Sequence, residues 1–440
     1  SNLLAEINSQ SISLIDQSFS SKPKINSDTR EELVHSIDLR ARLLPQVSKS
    51  RYIRDSCPWL SDPRLIAGYR DIYRDLQFPI SSSSASGSSF ISVDGKEYLD
   101  FTMGFGVQFF GHNPAFIKDV LLDAVTNNSL FLGPQSALAS SNAKLLCQLT
   151  AHDRALFCNS GTEAVMTAIR LARAYTKKSK ILQFNGSYHG HNDMNLTVQV
   201  TKDGNSAPAS MGSLAKFTED TLTTDYNDIN VISQIIMSNH DTLAAVLVEP
   251  IQSRNPSIAK AKLLRVLRSL CTKYGIILIF DEVLIGFRCN LASSLGFFGV
   301  KSDLSVFGKI IGGGLPIGAV AGKESILSFL DGGTWFTNDK LPQTEKIFFA
   351  GTFNKNNLTM LACNQVLNYF ANDNGLSQYK LNSITRKLCK HLNLIFLKRG
   401  LSIRVAYASS FFRFLGAPPA FYLELLYHGI YIWEGRTCFL

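Results

Sequence analysis

Residues 276–318 read IILIFDEVLIGFRCNLASSLGFFGVKSDLSVFGKIIGGGLPIG. The apolar run Ile276–Phe280 ends abruptly in Asp281-Glu282, and a second run, Leu304–Phe307, ends in Gly308-Lys309 and a glycine-rich stretch. Two short apolar runs with room for one helix-and-strand step between them are the pattern of neighbouring buried strands in a parallel sheet. The alternation extends upstream. Strands are predicted at Ala155–Cys158, Ile181–Phe184 and Leu243–Val248, and helices at Pro114–Asn127, Glu163–Tyr175 and Leu263–Tyr274. The fold class is therefore α/β, a mostly parallel sheet covered on both faces, and ligands on such sheets bind at the carboxyl ends of strands.

Working outward, residues 1–75 read as a linker or extension with some helix, including an amphipathic piece at Glu31–Leu44. Ser81–Ser89 is low in complexity and reads as a loop. Phe90–Phe101 reads as a hairpin turning at Asp94-Gly95. The expected division is an N-terminal segment of a small domain at 76–113, a large domain at 114–347, and the rest of the small domain at 348–440.

At 440 residues with 45% hydrophobic and 18% charged side chains, the chain has an ordinary globular composition. No apolar run is long enough to span a membrane, and Ser1–Gln10 lacks the layout of an export signal. Lys and Arg are scattered rather than striped, so the net charge of +9 does not indicate nucleic acid. One local excess runs through Arg40, Arg42, Lys49, Arg51 and Arg54. The eight cysteines form no CxxC pair and no zinc spacing, so reduced thiols in a cytoplasmic protein are expected.

Four stretches carry chemistry. Asn159-Ser160-Gly161-Thr162-Glu163 follows a strand and opens a helix. Hydroxyls and free N–H groups at a helix start suit a phosphate, although the same pattern also makes an ordinary cap. Tyr188, in Gly186-Ser187-Tyr188-His189-Gly190-His191, is an aromatic at a strand end that can stack on a ring; a core tyrosine is the plainer reading. The two histidines lack a third ligand for a metal. Asp281 ends an apolar strand, and a carboxylate buried there needs a cationic partner such as a pyridinium nitrogen. No GxxxxGK[ST] loop precedes it, which weakens a nucleotide reading. Lys309 sits at a strand end before glycines that leave room for a flat ring, and burial makes a lysine amine nucleophilic.

The order phosphate loop, aromatic, aspartate, lysine resembles the class III aminotransferases of fold type I, which depend on pyridoxal 5′-phosphate (PLP). Gly111-His112-Asn113-Pro114, Glu249-Pro250, Asp281-Glu282-Val283, Gly286-Phe287-Arg288 and Gly351-Thr352-Phe353 fit that pattern, from about residue 78 onward. The chain is similar to the glutamate-1-semialdehyde aminomutase branch. It is more similar still to aminotransferase domains of hybrid polyketide–nonribosomal peptide synthetases, through residues 62–69, 78–80, 103–107, 250–256 and 429–436.

The resemblance implies that Lys309 carries the cofactor and shuttles a proton, with PLP cycling through pyridoxamine phosphate. It implies that Asp281 pairs with the ring nitrogen and that Tyr188 and Val283 hold the ring faces. Ser160, Gly161 and Thr162 would bind phosphate, Thr352 would reach the neighbouring subunit's phosphate in a homodimer, and His189 and Glu249 complete the expected cofactor set. Two departures stand out. Leu284 occupies a position where members acting on free ω-amino acids often carry Gln, and the family pattern continues through a further helix beyond Phe439-Leu440, so a truncated end is expected. The implied reaction is amination of a β-ketoacyl thioester on an acyl carrier protein, with glutamate or glutamine as donor. The alternatives are a 1,2-aminomutase, an aminotransferase of free keto acids and, more remotely, a non-catalytic PLP-binding module.

Overall fold

The structure, a computed structural model, describes residues 30–127, 131–256, 261–338 and 341–440; residues 1–29 of the expected extension lie outside the described residues. The part that is described is packed. Helix α1 (Arg30–Leu43) buries Leu39 and Leu43, which join Val47, Ile72 and Leu76 against Leu423 and Leu426 near the C-terminus. Burying a leucine side chain stabilises by about 2 kcal/mol, so the segment is held rather than tethered. The local basic excess follows from the same packing. Arg42 donates to Glu424 at 2.6 and 3.0 Å, and Arg40 and Arg54 donate to the carbonyls of Ile72 and Gln77.

Ser82–Ser86, read above as loop, is instead a strand, β1. It pairs antiparallel with β2 (Ser89–Ser92), and β2 pairs with β3 (Glu97–Asp100). Serine has modest strand propensity, but an edge strand needs only a partner's free backbone groups. The predicted hairpin forms, with Gly95 at φ 86° in the turn.

The large sheet has seven strands: β4 (Arg154–Cys158), β5 (Lys180–Phe184), β6 (Thr221–Thr224), β7 (Leu243–Val248), β8 (Ile277–Asp281), β9 (Leu304–Gly308) and β10 (Gly318–Gly322), in the order β4-β10-β9-β8-β7-β5-β6. All pairs are parallel except those of β10, which runs against both β9 and β4. Every residue of β7, β8, β9 and β10 is buried. The sequence reading did not mark β6 or β10. β6 is three threonines and one leucine rather than an apolar run, and β10 is Gly-Ala-Val-Ala-Gly. The small residues of β10 are there for close approach: a Cβ on Gly318 would lie 2.0 Å from the Ser160 carbonyl oxygen, and one on Gly322 would lie 2.4 Å from Leu304.

Helices cover both faces of the sheet. α4 (Gly161–Thr176) packs on one face, against Ala245, Ile279 and Val306, and α2 (Ala115–Thr126), α3 (Ala137–Thr150) and α5 (Ala261–Tyr274) cover the other, over Phe157, Phe307 and Phe280. Beyond α6 (Asn357–Asp373) and α7 (Leu376–Lys398), β11 (Arg404–Ala408), β12 (Phe411–Leu415) and β14 (Cys438–Phe439) form a separate antiparallel sheet. β13 (Ile430–Tyr431) returns to pair with β3, so both ends of the described chain build one four-stranded sheet. Among the described residues no helix is long and apolar enough to cross a membrane, and the cysteines are free thiols.

Candidate active site

The carboxyl ends of β4, β5, β7, β8 and β9 meet around a cavity of about 370 Å³. Gly161, Thr162, Tyr188, His189, Glu249, Asp281, Val283 and Lys309 line it. Ser160 and Thr352 do not. The Ser160 hydroxyl accepts from the Glu163 N–H at 3.2 Å and caps α4, while Glu163 turns back to accept from the Asn159 N–H at 2.9 Å. Reciprocal capping of this kind fixes the loop and leaves the first-turn N–H groups of α4 at the positive end of a 16-residue helix. Thr352 lines a different hollow, together with Phe131–Gln135.

Asp281 is the last residue of β8 and is buried. Its Oδ2 lies 2.7 Å from His189 Nδ1, and its Oδ1 accepts from the Val283 N–H at 3.1 Å. His189 Nε2 is buried with no hydrogen-bond partner among the described residues. His191 instead faces Thr162 Oγ1 at 3.3 Å, so the two histidines address different partners rather than one ion.

Lys309 follows β9 with its backbone at φ 46°, a left-handed conformation rare outside glycine and found at functional sites. Burial holds its amine below the usual lysine range, against the opposing pull of the Asp281 and Glu249 charges. A lowered pKa favours the neutral, nucleophilic form of a lysine amine. Glu249 is buried too and accepts from the backbone N–H groups of Tyr188 at 3.3 Å and Ser253 at 3.4 Å. Burial nevertheless raises its carboxyl above the usual range.

One reading needs correcting. Of Gly312, Gly313 and Gly314, only Gly314 lines the cavity. A Cβ on Gly312 would lie 2.8 Å from Ile317, and one on Gly313 would lie 2.7 Å from Ile117, so those two make room for packing rather than for a ring. Glu282, adjacent to Asp281, points the other way, into a buried set of hydroxyls on Ser293 and Ser305 with the Ser294 N–H at 2.8 Å. Residues given no role in the sequence reading also line the cavity, among them Val107, Ser253, Leu315 and Ile317, together with Asn159 at the head of the first motif. Asn159 donates to Asn354 at 2.8 Å, a contact across 195 residues that no local pattern announces.

A phosphate suits the helix N-terminus with the Thr162 hydroxyl. A protonated ring nitrogen suits Asp281, and an aldehyde suits a buried amine with a lowered pKa. Space for a flat ring beside Val283 exists because residue 161 is glycine, whose Cβ would lie 2.9 Å from Val283. The profile of the family described as aminotransferase class-III matches residues 73–404. The chain belongs to the class-III aminotransferases. It is a PLP-dependent aminotransferase of fold type I. It is 36% identical over 330 residues to glutamate-1-semialdehyde 2,1-aminomutase 1 of Lachnoclostridium phytofermentans, covering 74% of each chain. With the glutamate-1-semialdehyde 2,1-aminomutase of Caldicellulosiruptor bescii it shares 36% over 325 residues, 73% of this chain and 72% of the other. Among solved structures it is similar to an omega-transaminase from Sphaerobacter thermophilus, with TM-score 0.75, 26% identity and 92% of both chains covered. It also resembles a transaminase with PLP bound, with TM-score 0.77, 25% identity and 89% and 92% of the two chains covered.

Proposed function

We propose that this class-III aminotransferase aminates a β-ketoacyl thioester presented on an acyl carrier protein, using glutamate or glutamine as donor, as part of a polyketide–nonribosomal peptide synthetase. It works as a homodimer in the cytoplasm, where its free thiols stay reduced. The observation that carries the carrier-bound reading is the shape of the site. Tyr188, His189 and Gly190 line both the cofactor cavity and an adjacent groove of about 850 Å³, far more room than a free keto acid needs. Leu284 on the cavity wall adds apolar surface where a free ω-amino acid would want a polar partner.

PLP bound here supplies an electron sink for the carbon that loses its proton. The chain's residues do the rest. Gly161 and Thr162 would hold the phosphate at the start of α4. Asp281, kept in place by His189 and the Val283 N–H, would hold a proton on the ring nitrogen. Val283 and Tyr188 would fix the ring between them. Lys309 Nζ would take the proton from the donor carbon that bears nitrogen and deliver it to the cofactor's C4′, acting as base and then acid, and would run the same transfer in reverse on the ketone acceptor. Thr352, set apart from its own cavity, would serve the partner's phosphate.

A second reading has a specific observation behind it, because the curated relatives compared above are glutamate-1-semialdehyde aminomutases. An aminomutase moves its amino group within one substrate and needs no separate donor. Intact-mass analysis of a β-ketoacyl carrier protein, incubated with enzyme with and without donor, separates the readings. The carrier reading expects a donor-dependent mass change from ketone to amine. Donor-independent turnover of a small amino aldehyde, with no change in the carrier, would favour the mutase. Equal amination of the tethered and the free acid would make it a general β-keto acid aminotransferase.

A further inference from the structure

The groove beyond the cofactor cavity has a chemistry of its own. It is lined by Lys202, Arg254 and Arg413 against one carboxylate, Asp225. That carboxylate already accepts from Asn185 Nδ2 at 2.8 Å. Along the wall the side-chain amides are fixed by the protein: Asn185 donates to the Gln199 side chain at 2.8 Å, and Gln252 donates to the main-chain carbonyl of Asn185 at 2.7 Å and to the Ser187 hydroxyl at 3.1 Å. Arg413 donates to the Arg254 carbonyl at 2.7 Å, and the Arg254 guanidinium stands 6.0 Å from the Tyr188 ring centre, where groove and cavity join. A wall of fixed amides with surplus positive charge suits an extended ligand that carries amides and one anionic group.

We propose that this groove is the track for the phosphopantetheine arm of the carrier, with the internally bonded amides giving it a polar, fixed wall and Lys202, Arg254 and Arg413 attracting its phosphodiester. This inference rests on the carrier-bound reading and names the residues that would make tethering matter. The arm would run past Tyr188 and deliver the thioester end to Lys309, while the phosphate stays in the groove. A free keto acid has neither the amides nor the phosphodiester and would leave the groove empty.

The test uses the full-length holoenzyme and one β-ketoacyl group in three forms: on carrier protein, on pantetheine lacking the phosphate, and as the free acid. Wild type is compared with Lys202→Glu, Arg413→Gln and Arg413→Lys. Lys202 is exposed, so its substitution leaves the core alone. Losing one charge-assisted contact should raise KM for the carrier-bound form roughly tenfold, with kcat within about twofold and the pantetheine and free-acid forms unchanged; Arg413→Lys should recover part of the loss. Equal effects on all three forms, or none on any, would overturn the groove assignment. The carrier reading fails separately, if wild type aminates the free acid as efficiently as the tethered form. In that event competition against free-acid amination still tests the groove. Phosphopantetheine should inhibit wild type more strongly than pantetheine, and Lys202→Glu should remove the difference; equal inhibition of wild type by both would overturn the proposal.

Discussion

His189 Nδ1 lies 2.7 Å from Asp281 Oδ2, and both side chains are buried. The histidine comes from the loop after β5 and the aspartate from the end of β8, so two strand ends that are not neighbours in the sheet jointly define one carboxylate's position. The contact orients the carboxylate, which in the proposed mechanism makes His189 a positioning residue for Asp281.

His189→Ala should therefore leave PLP bound while lowering kcat by about tenfold or more, the usual scale for removing an orienting partner. Asp281→Asn should cost at least about a hundredfold, because a neutral amide cannot hold the ring nitrogen protonated. The check is kcat together with the visible absorption of the bound cofactor for both variants. A His189→Ala protein with wild-type kcat and an unshifted spectrum would show that the histidine only packs.

Lys309 gives an expected pH dependence. Burial lowers its pKa, and lowering the pKa of a base extends its neutral form to lower pH. The rate at which apo-enzyme captures PLP should rise with pH and level off below the ordinary lysine range. Stopped-flow absorbance against pH measures it. A rate still climbing through the usual lysine pKa would mean that Lys309 is solvated.

Gly318 is the point where β10 passes under the phosphate loop. Gly318→Ala would place a carbon 2.0 Å from the Ser160 carbonyl oxygen, which forces that loop to move. PLP affinity of the apo-protein should fall by roughly tenfold or more, with a lower Tm. Titration of PLP into the variant, alongside a thermal melt, reads both, and an unchanged Kd would mean that the loop tolerates displacement.

Thr352 offers a test of subunit sharing. Because it lines a hollow apart from its own cavity, mixed dimers of Lys309→Ala and Thr352→Ala should regain one intact site. Activity after mixing should exceed that of either parent. Activity no greater than the average of the parents would argue against a site built by two subunits.

The parts of this architecture legible in sequence are those with a local signature. The apolar runs of β5, β7, β8 and β9 announced themselves because strands buried on both faces carry little else. Lys309 and Asp281 stood out because each ends such a run. What was not legible depended on contacts distant in sequence. β10 is strand because β4 and β9 accept a strand of glycine and alanine between them, and β1 is strand because β2 offers it an edge. The packing of α1 depends on Glu424 and Leu423, nearly four hundred residues on. The destination of Glu282 was not legible either: strand alternation sends Asp281 toward the cavity and its neighbour into the serine cluster.

The most direct test of the account is where the cofactor is attached. Borohydride reduction of the holoenzyme fixes the lysine-bound PLP, and peptide mass mapping then locates it. The account expects a phosphopyridoxyl group on Lys309 and none on the Lys309→Ala protein, which should also lose the visible absorption and turnover. A label on another lysine, or a Lys309→Ala enzyme that keeps its colour and its activity, would contradict it.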